Sequence, residues 1–167
     1  MVNLKRILLT TDLSEESLAA LDYANTLSLL YGARLTVLHV DNVTPPAMYT
    51  IHVPDYEGGQ FQHDALDHAR KALEEFARIH IPSSVNIVLE VRLGKPVEEI
   101  NRYVEEAGID LIVMATHGRT GLKHVMMGSV AEKVVRTASV PVLTVKPRKL
   151  RDRMIQIEDI EDELHVG

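Results

Sequence analysis

The order of apolar segments along the chain predicts an α/β protein: a five-stranded parallel, doubly wound sheet flanked by four helices, in strand order 3-2-1-4-5. Three observations lead there. Short apolar runs of strand length alternate with stretches whose apolar residues recur at three- and four-residue steps. The run "DLIVMA" at 110–115 is apolar throughout, as suits a central parallel strand covered on both faces. Strand–helix–strand connections within one sheet are right-handed, which brings helices onto its faces.

Taken in order, "KRILLT" is a short buried strand, and Ser14 followed by Glu15 and Glu16 predicts a helix start, a capping hydroxyl ahead of acids in the first turn. Ala20, Leu21, Ala24, Leu27 and Tyr31 form that helix's apolar stripe, ended near Gly32. "RLTVLHV" is the second strand. A loop with Pro45, Pro46, Pro54, Gly58 and Gly59 leads to a second helix through Leu66, Ala69, Leu73, Phe76 and His80. In "VNIVLEVRL" apolar residues fall on alternate positions, the pattern of a strand at a sheet edge. Gly94 and Pro96 open a third helix with Val97, Ile100, Val104 and Ala107 on its apolar side. Gly128 to Ala138 is the fourth helix, through Ala131, Val134, Val135 and Ala138, and "VPVLTV" closes the sheet with Pro141 near a strand start. No internal repeat is present.

The 167 residues, 46% apolar and 25% charged, fit one compact domain, expected over 1–147, followed by a charged tail over 148–167. The tail is basic in "KPRKLRDR" and acidic in "IEDIEDELHVG"; Ile155, Ile157, Ile160 and Leu164 leave a docking segment as the alternative to a solvated end. No apolar run approaches the roughly 20 residues that span a bilayer, and the N-terminus lacks a secretory layout, so a soluble cytoplasmic protein is expected, with no membrane partner. The absence of cysteine removes thiolate chemistry and cysteine metal sites. A net charge of −6 argues against nucleic-acid binding, so an anionic ligand requires a local pocket.

In a doubly wound sheet that pocket lies beyond the carboxyl ends of the strands, where the winding reverses. The loops concerned are "TTDLS", "HVDNV" and "ATHGRTG". In the last, Gly118 and Gly121 let backbone N–H groups approach an anion. Gly128-Ser129 at a helix start adds further donors, a hydroxyl and the positive end of a dipole, with Arg119 and Lys123 as nearby charges. An ordinary glycine-containing connection before a capped helix is the competing reading. Neither G-x-x-x-x-G-K-[ST] nor G-x-G-x-x-G is present, which excludes two common nucleotide-binding designs.

From Ala115 the chain runs A-T-H-G, then nine residues, then Gly128-Ser129. This resembles the G-x-x-G, nine residues, G-[ST] pattern of the universal stress protein family. "RILLTTDLSEESLAALDYA", "ARLTVLHV", "GKPVEEI" and "DLIVMATHGRTGL...GSVAEKVVRTASVPVLTVKP" extend the resemblance over nearly the whole domain. It implies a Rossmann-like fold and, in the family's ATP-binding branch, a nucleotide across the strand ends. Thr10, Thr11 and Asp12 would then flank the adenosine, with Asp12 near the ribose or a phosphate-bound Mg or Mn ion. Val40 would meet adenine through its backbone, Met114 and Ala115 would line the ribose side, and His117, Gly118, Arg119, Gly128, Ser129 and Val130 would surround the phosphates. The resemblance also implies a homodimer through the last strand. The expected function is a nucleotide-dependent stress or signalling switch, with the hypothesis that ATP orders the loop from Thr116 to Met127 and so changes the surface offered to a protein partner.

One departure stands out: the motif's first glycine is Ala115 here. A positive φ at that position would cost about 1–2 kcal/mol, a negative φ nothing. Loss of ATP binding, giving a dimeric interaction protein of the branch that does not bind ATP, is the alternative function. No dedicated base is legible, so the chain is at most a slow ATPase. Ser129 has no Ser-His-Asp spacing around it. His117 with His124, and His63, Asp64, Asp67 and His68, are weak metal candidates, and Met126 and Met127 are expected to pack as apolar residues.

Overall fold

A computed structural model describes residues 3–42, 58–117 and 127–147, with the backbone alone for 58–61. Its elements run β1 (Arg6–Thr10), α1 (Leu18–Tyr31), β2 (Arg34–Asp41), α2 (Gly58–His80), β3 (Ile87–Leu93), α3 (Pro96–Ala107), β4 (Leu111–Ala115), α4 (Ser129–Thr137) and β5 (Val142–Val145). The five strands form one parallel sheet in the order β3-β2-β1-β4-β5, as the sequence predicts. Winding reverses between β1 and β4, and β3 and β5 are the edges.

Two apolar layers cover the sheet, and strand alternation sorts residues between them. Ile7, Leu9, Leu35, Val37 and Val113 pack with Ala20, Leu21 and Ala24 of α1 and Leu73 and Phe76 of α2. Leu8, Leu38, Ile112 and Met114 pack with Ile100 and Val104 of α3 and Ala131 and Val134 of α4. The second layer stops short at the carboxyl end, where α3 and α4 begin.

Several local expectations change. Helix α1 starts at Leu18, not Ser14, because the chain first winds tightly: the N–H groups of Ser17, Leu18, Ala19 and Ala20 donate to the carbonyls three residues back, at 3.2–3.3 Å. Ser14 still caps that turn, its Oγ accepting from the Ser17 N–H at 3.3 Å. The buried face of α1 includes the small polar residues Asn25 and Ser28, while Tyr31 is exposed. Apolar periodicity cannot see small polar residues as inner ones. Gly32 ends the helix in the left-handed conformation, φ 62°, as expected.

Gly58 and Gly59 belong to α2 and not to the preceding loop; the amphipathic face through Ala69, Leu73, Phe76 and Ala77 carries the helix despite their low propensity. His80 is exposed beside Phe76. Val135 of α4 is also exposed, leaving Ala131 and Val134 as its buried residues. The proline-rich stretch 43–57 and the tail 148–167 lie outside the described residues.

Candidate functional site

The turn between β1 and α1 is built from short side chains. The Ser17 hydroxyl donates to the Ser14 carbonyl at 2.7 Å, so the 2.8 Å contact between Ser17 Oγ and Thr11 Oγ1 has Thr11 as donor. Thr11 Oγ1 in turn accepts the Leu13 N–H at 2.9 Å. Asp12 Oδ1 accepts from both the main-chain N–H of Ser14, at 3.1 Å, and its hydroxyl, at 2.5 Å. These bonds hold Leu13 at φ 64°, the one positive φ outside glycine among the described residues.

Beyond that turn the carboxyl ends of β1, β2 and β4 open into a cleft of about 250 Å³. Register explains its floor. Leu38, Thr10 and Met114 are neighbours on one rung, so their side chains emerge on the same face of the sheet, with Val40 two residues beyond Leu38. Pro96 and Ile100 of α3 form one wall, and Gly128 to Ala131 at the start of α4 form the other. Arg92 is in register with Val40, yet its guanidinium is held by Glu106 at 2.6 Å, Glu90 at 3.2 Å and Glu99 at 3.7 Å, and lies over the Tyr103 ring. The hydrogen bond that Arg92 donates to Glu106 is the main cause of an Arg92 pKa above the ordinary value. Arg92 is thus committed to carboxylates, and the β2 side of the cleft is apolar.

The α4 side is different. Gly128 caps the helix with no side chain, its N–H donating to the Thr116 carbonyl at 2.7 Å, and the first intrahelical bond runs from Glu132 N–H to the Gly128 carbonyl. The N–H groups of Ser129, Val130 and Ala131 therefore have no partner within the helix and sit at its positive end. Gly128 has φ −67° and ψ 152°, which any residue adopts. Glycine gives room instead: a Cβ there would stand 3.1 Å from the Thr116 oxygen, close enough that this peptide would have to move by a few tenths of an ångström. Thr116 and His117, both buried, join side chain to side chain at 2.9 Å between Thr116 Oγ1 and His117 Nδ1.

Thr10, Thr11, Asp12, Val40, Met114, Ala115, His117, Gly128, Ser129 and Val130, the predicted site residues within the described chain, all line this one cleft. Gly118 and Arg119, with Gly121, Lys123 and His124, lie outside the described residues. Ser17, Leu38, Pro96, Ile100, Thr116 and Ala131 also line the cleft and were not expected there. Leu38 was findable from strand alternation, two residues before Val40; Thr116 falls in the expected loop "ATHGRTG" without a predicted site role, and nothing in the sequence marks Ser17. Ala115 sits in β4 paired with Val145 and has no positive φ, so replacing the motif's first glycine carries no backbone penalty.

Among the described residues no group of three or more His, Asp or Glu is arranged to hold a metal ion. His63 and Asp67 make an exposed 3.4 Å pair on α2. Met127 packs against the α3/α4 layer. No described helix is long and apolar enough to cross a membrane.

The model of the universal stress protein family matches residues 3–146. The universal stress protein MJ0531 of Methanocaldococcus jannaschii is 33% identical over 146 residues, covering 87% of this chain and 84% of its own. YxiE of Bacillus subtilis, also a universal stress protein, is 30% identical over 84% of this chain and 98% of its own. Among solved structures, MJ0577 superposes with a TM-score of 0.72 at 28% identity, over 87% of this chain and 97% of that one. A universal stress protein in complex with cAMP shares the fold, with a TM-score of 0.57 at 23% identity over 86% and 98% of the two chains. The family match over residues 3–146 and these relatives agree with the sheet order, and the chain belongs to the universal stress protein family.

Proposed function

We propose that this protein binds ATP in the cleft at the carboxyl ends of β1, β2 and β4 and works as a nucleotide-dependent switch. The observation that carries the reading is the division of one cleft into an apolar floor and a wall of unpaired helix N–H groups, which matches a molecule with a flat base at one end and phosphates at the other. The base rests against Leu38, Val40 and Ile100, with the Val40 main chain as its polar contact, while Thr10, Thr11 and Asp12 flank the adenosine and Met114 and Ala115 border the ribose. Ser129 and Val130 amides, with the Ser129 hydroxyl, receive phosphate oxygens, joined by His117 and, from the segment outside the described residues, by Gly118 and Arg119. A single exposed helix end contributes only about 0.3–1 kcal/mol, so convergence of several donors is required. Asp12, on the cleft lining, is assigned to the ribose or to a phosphate-bound Mg or Mn ion, which would screen phosphate charge.

The negative φ of Ala115 favours this reading over the branch that does not bind ATP, since the substitution strains nothing. A universal stress protein of the same fold is solved in complex with cAMP, which is in keeping with a nucleotide as the ligand. The reading assigns no residue to hydrolysis and takes the output as conformational: nucleotide holds the segment between Thr116 and Met127 and so sets the surface offered to a partner, with pairing of two copies along the β5 edge. Purified protein is denatured and its supernatant chromatographed for released nucleotide, and ligand-free protein is titrated with MgATP. Retained ATP or saturable binding, with slower amide exchange across 116–127, is the expected result; no binding at millimolar MgATP rejects it.

A further inference from the structure

The cleft opens where β1 stops pairing with β2, and a side chain outside the cleft lining bonds at that place. Main-chain groups of a strand point alternately to its two neighbours. In β2, the Leu35 N–H donates to Asn86 and the Asp41 carbonyl accepts from Gly94, so the odd-numbered residues face β3; the Leu38 carbonyl accepts from Thr11, so the even-numbered ones face β1. Val40 therefore turns its N–H and carbonyl toward β1. In a parallel ladder Thr11, having donated to the Leu38 carbonyl at 3.0 Å, would next accept from the Val40 N–H.

That rung is not made. Pairing ends at Thr10 with Leu38, and the Thr11 carbonyl is taken instead by Nδ1 of His39 at 2.9 Å. A carbonyl oxygen only accepts, so Nδ1 carries a proton and donates. His39 is buried, 5% exposed, on the α1/α2 side of the sheet, in phase with Leu35 and Val37 and on the face opposite the cleft.

We propose that His39 is a positioning residue for the nucleotide: by drawing the Thr11 carbonyl to its imidazole it ends the β1–β2 ladder one rung early and keeps the Val40 main chain turned to the cleft. This rests on the ATP reading above, in which Val40 meets the base, and adds the device that keeps Val40 available. The side chain touches no ligand and acts through the Thr11 peptide. Without it the Val40 N–H pairs with Thr11 and the main-chain contact to the base is lost.

The test uses the full chain with His39→Leu, His39→Asn and His39→Gln. The Asn amide nitrogen stands where Nδ1 stands and restores the donor; the Gln amide is one bond too long to do so. Calorimetric titration with MgATP is expected to give binding weakened about ten-fold or more in H39L and H39Q and within about three-fold of wild type in H39N. Exchange of the Val40 amide in ligand-free protein is expected to slow in H39L, and nitrogen shifts of wild-type His39 are expected to report a protonated Nδ1. Wild-type affinity in H39L or H39Q, equal losses in H39N and H39L, or a wild-type tautomer protonated only at Nε2 overturns the role of His39. Wild-type protein that takes up no MgATP overturns the nucleotide reading itself, and the Val40 exchange and His39 tautomer then still report on the ladder. If H39L does not fold, the contrast between H39N and H39Q, together with the tautomer, decides.

Discussion

The two ends of the sheet are finished in opposite ways. At the amino end the starts of β1, β2 and β4 are tied together: the Asp110 carboxylate accepts the N–H groups of Lys5 and Arg6, both at 2.8 Å, the Arg34 N–H donates to the Lys5 carbonyl, and the Asp110 N–H to that of Arg6. Helices α1 and α3 arrive there with glycine caps, Gly32 and Gly108, whose N–H groups bond back into the last turn. At the carboxyl end the β1–β2 ladder stops early, Leu13 is held at positive φ, and α4 begins with no side-chain cap. Among the described residues, the strand starts bond to one another at the amino end, while at the carboxyl end the first amides of α4 have no partner within the helix. In the proposed reading, the amides left open at this rim among the described residues are where the nucleotide finds its partners.

Substitutions sharpen this contrast, beginning with the core that both ends share. Leu73→Ala, in α2 under the sheet and fully buried, is expected to cost about 2–5 kcal/mol in chemical denaturation without changing MgATP affinity of the folded protein. Gly128→Val at the open rim should do the reverse in emphasis: binding weakened about ten-fold or more, since the added carbons press on the Thr116 carbonyl and spread the wall that α4 presents. Retained affinity in this variant would break the assignment of the phosphate end.

Gly32→Ala at the closed end meets no neighbouring atom within 4 Å and so reads the cost of φ 62° alone, about 1–2 kcal/mol of stability with no effect on binding. Asp110→Asn is the mildest. Hydrogen bonds from the Lys5 and then the Arg6 main chain hold the Asp110 carboxyl below its ordinary value. A lowered folded pKa means the charged form is favoured by folding, so its contribution is present above the ordinary value of about 3.9 and fades as pH falls through the lowered one. The carboxylate is largely solvated, and about 1 kcal/mol or less is expected. Unfolding followed from pH 5 downward should lose stability faster in the wild type than in the Asn variant; parallel curves would remove Asp110 as the clamp of the closed end.

Much of this was legible in the sequence for a physical reason. Strands and helices bury one face or both, which writes period-two and period-3.6 patterns into residues such as Val85 to Val91 and Val97 to Val104. The rim followed from the same pattern, because a sheet wound this way has one place where crossovers diverge. What the pattern does not carry is hydrogen bonding among small polar groups. The tight turn before Leu18, the inward Asn25 and Ser28, the buried Thr116 and the bond from His39 to Thr11 all depend on which atoms meet in space. The conformation of Ala115 belongs with them, since its φ follows from pairing with Val145 and not from its own identity.

The most direct test of the central claim is a main-chain amide map of the protein titrated with MgATP by NMR. Saturable shifts concentrated at Val40 and at Ser129 to Ala131, with Arg34 and the Lys5–Asp110 clamp unmoved, are the predicted result. No shifts at millimolar MgATP, or shifts centred on the amino end of the sheet, would contradict it.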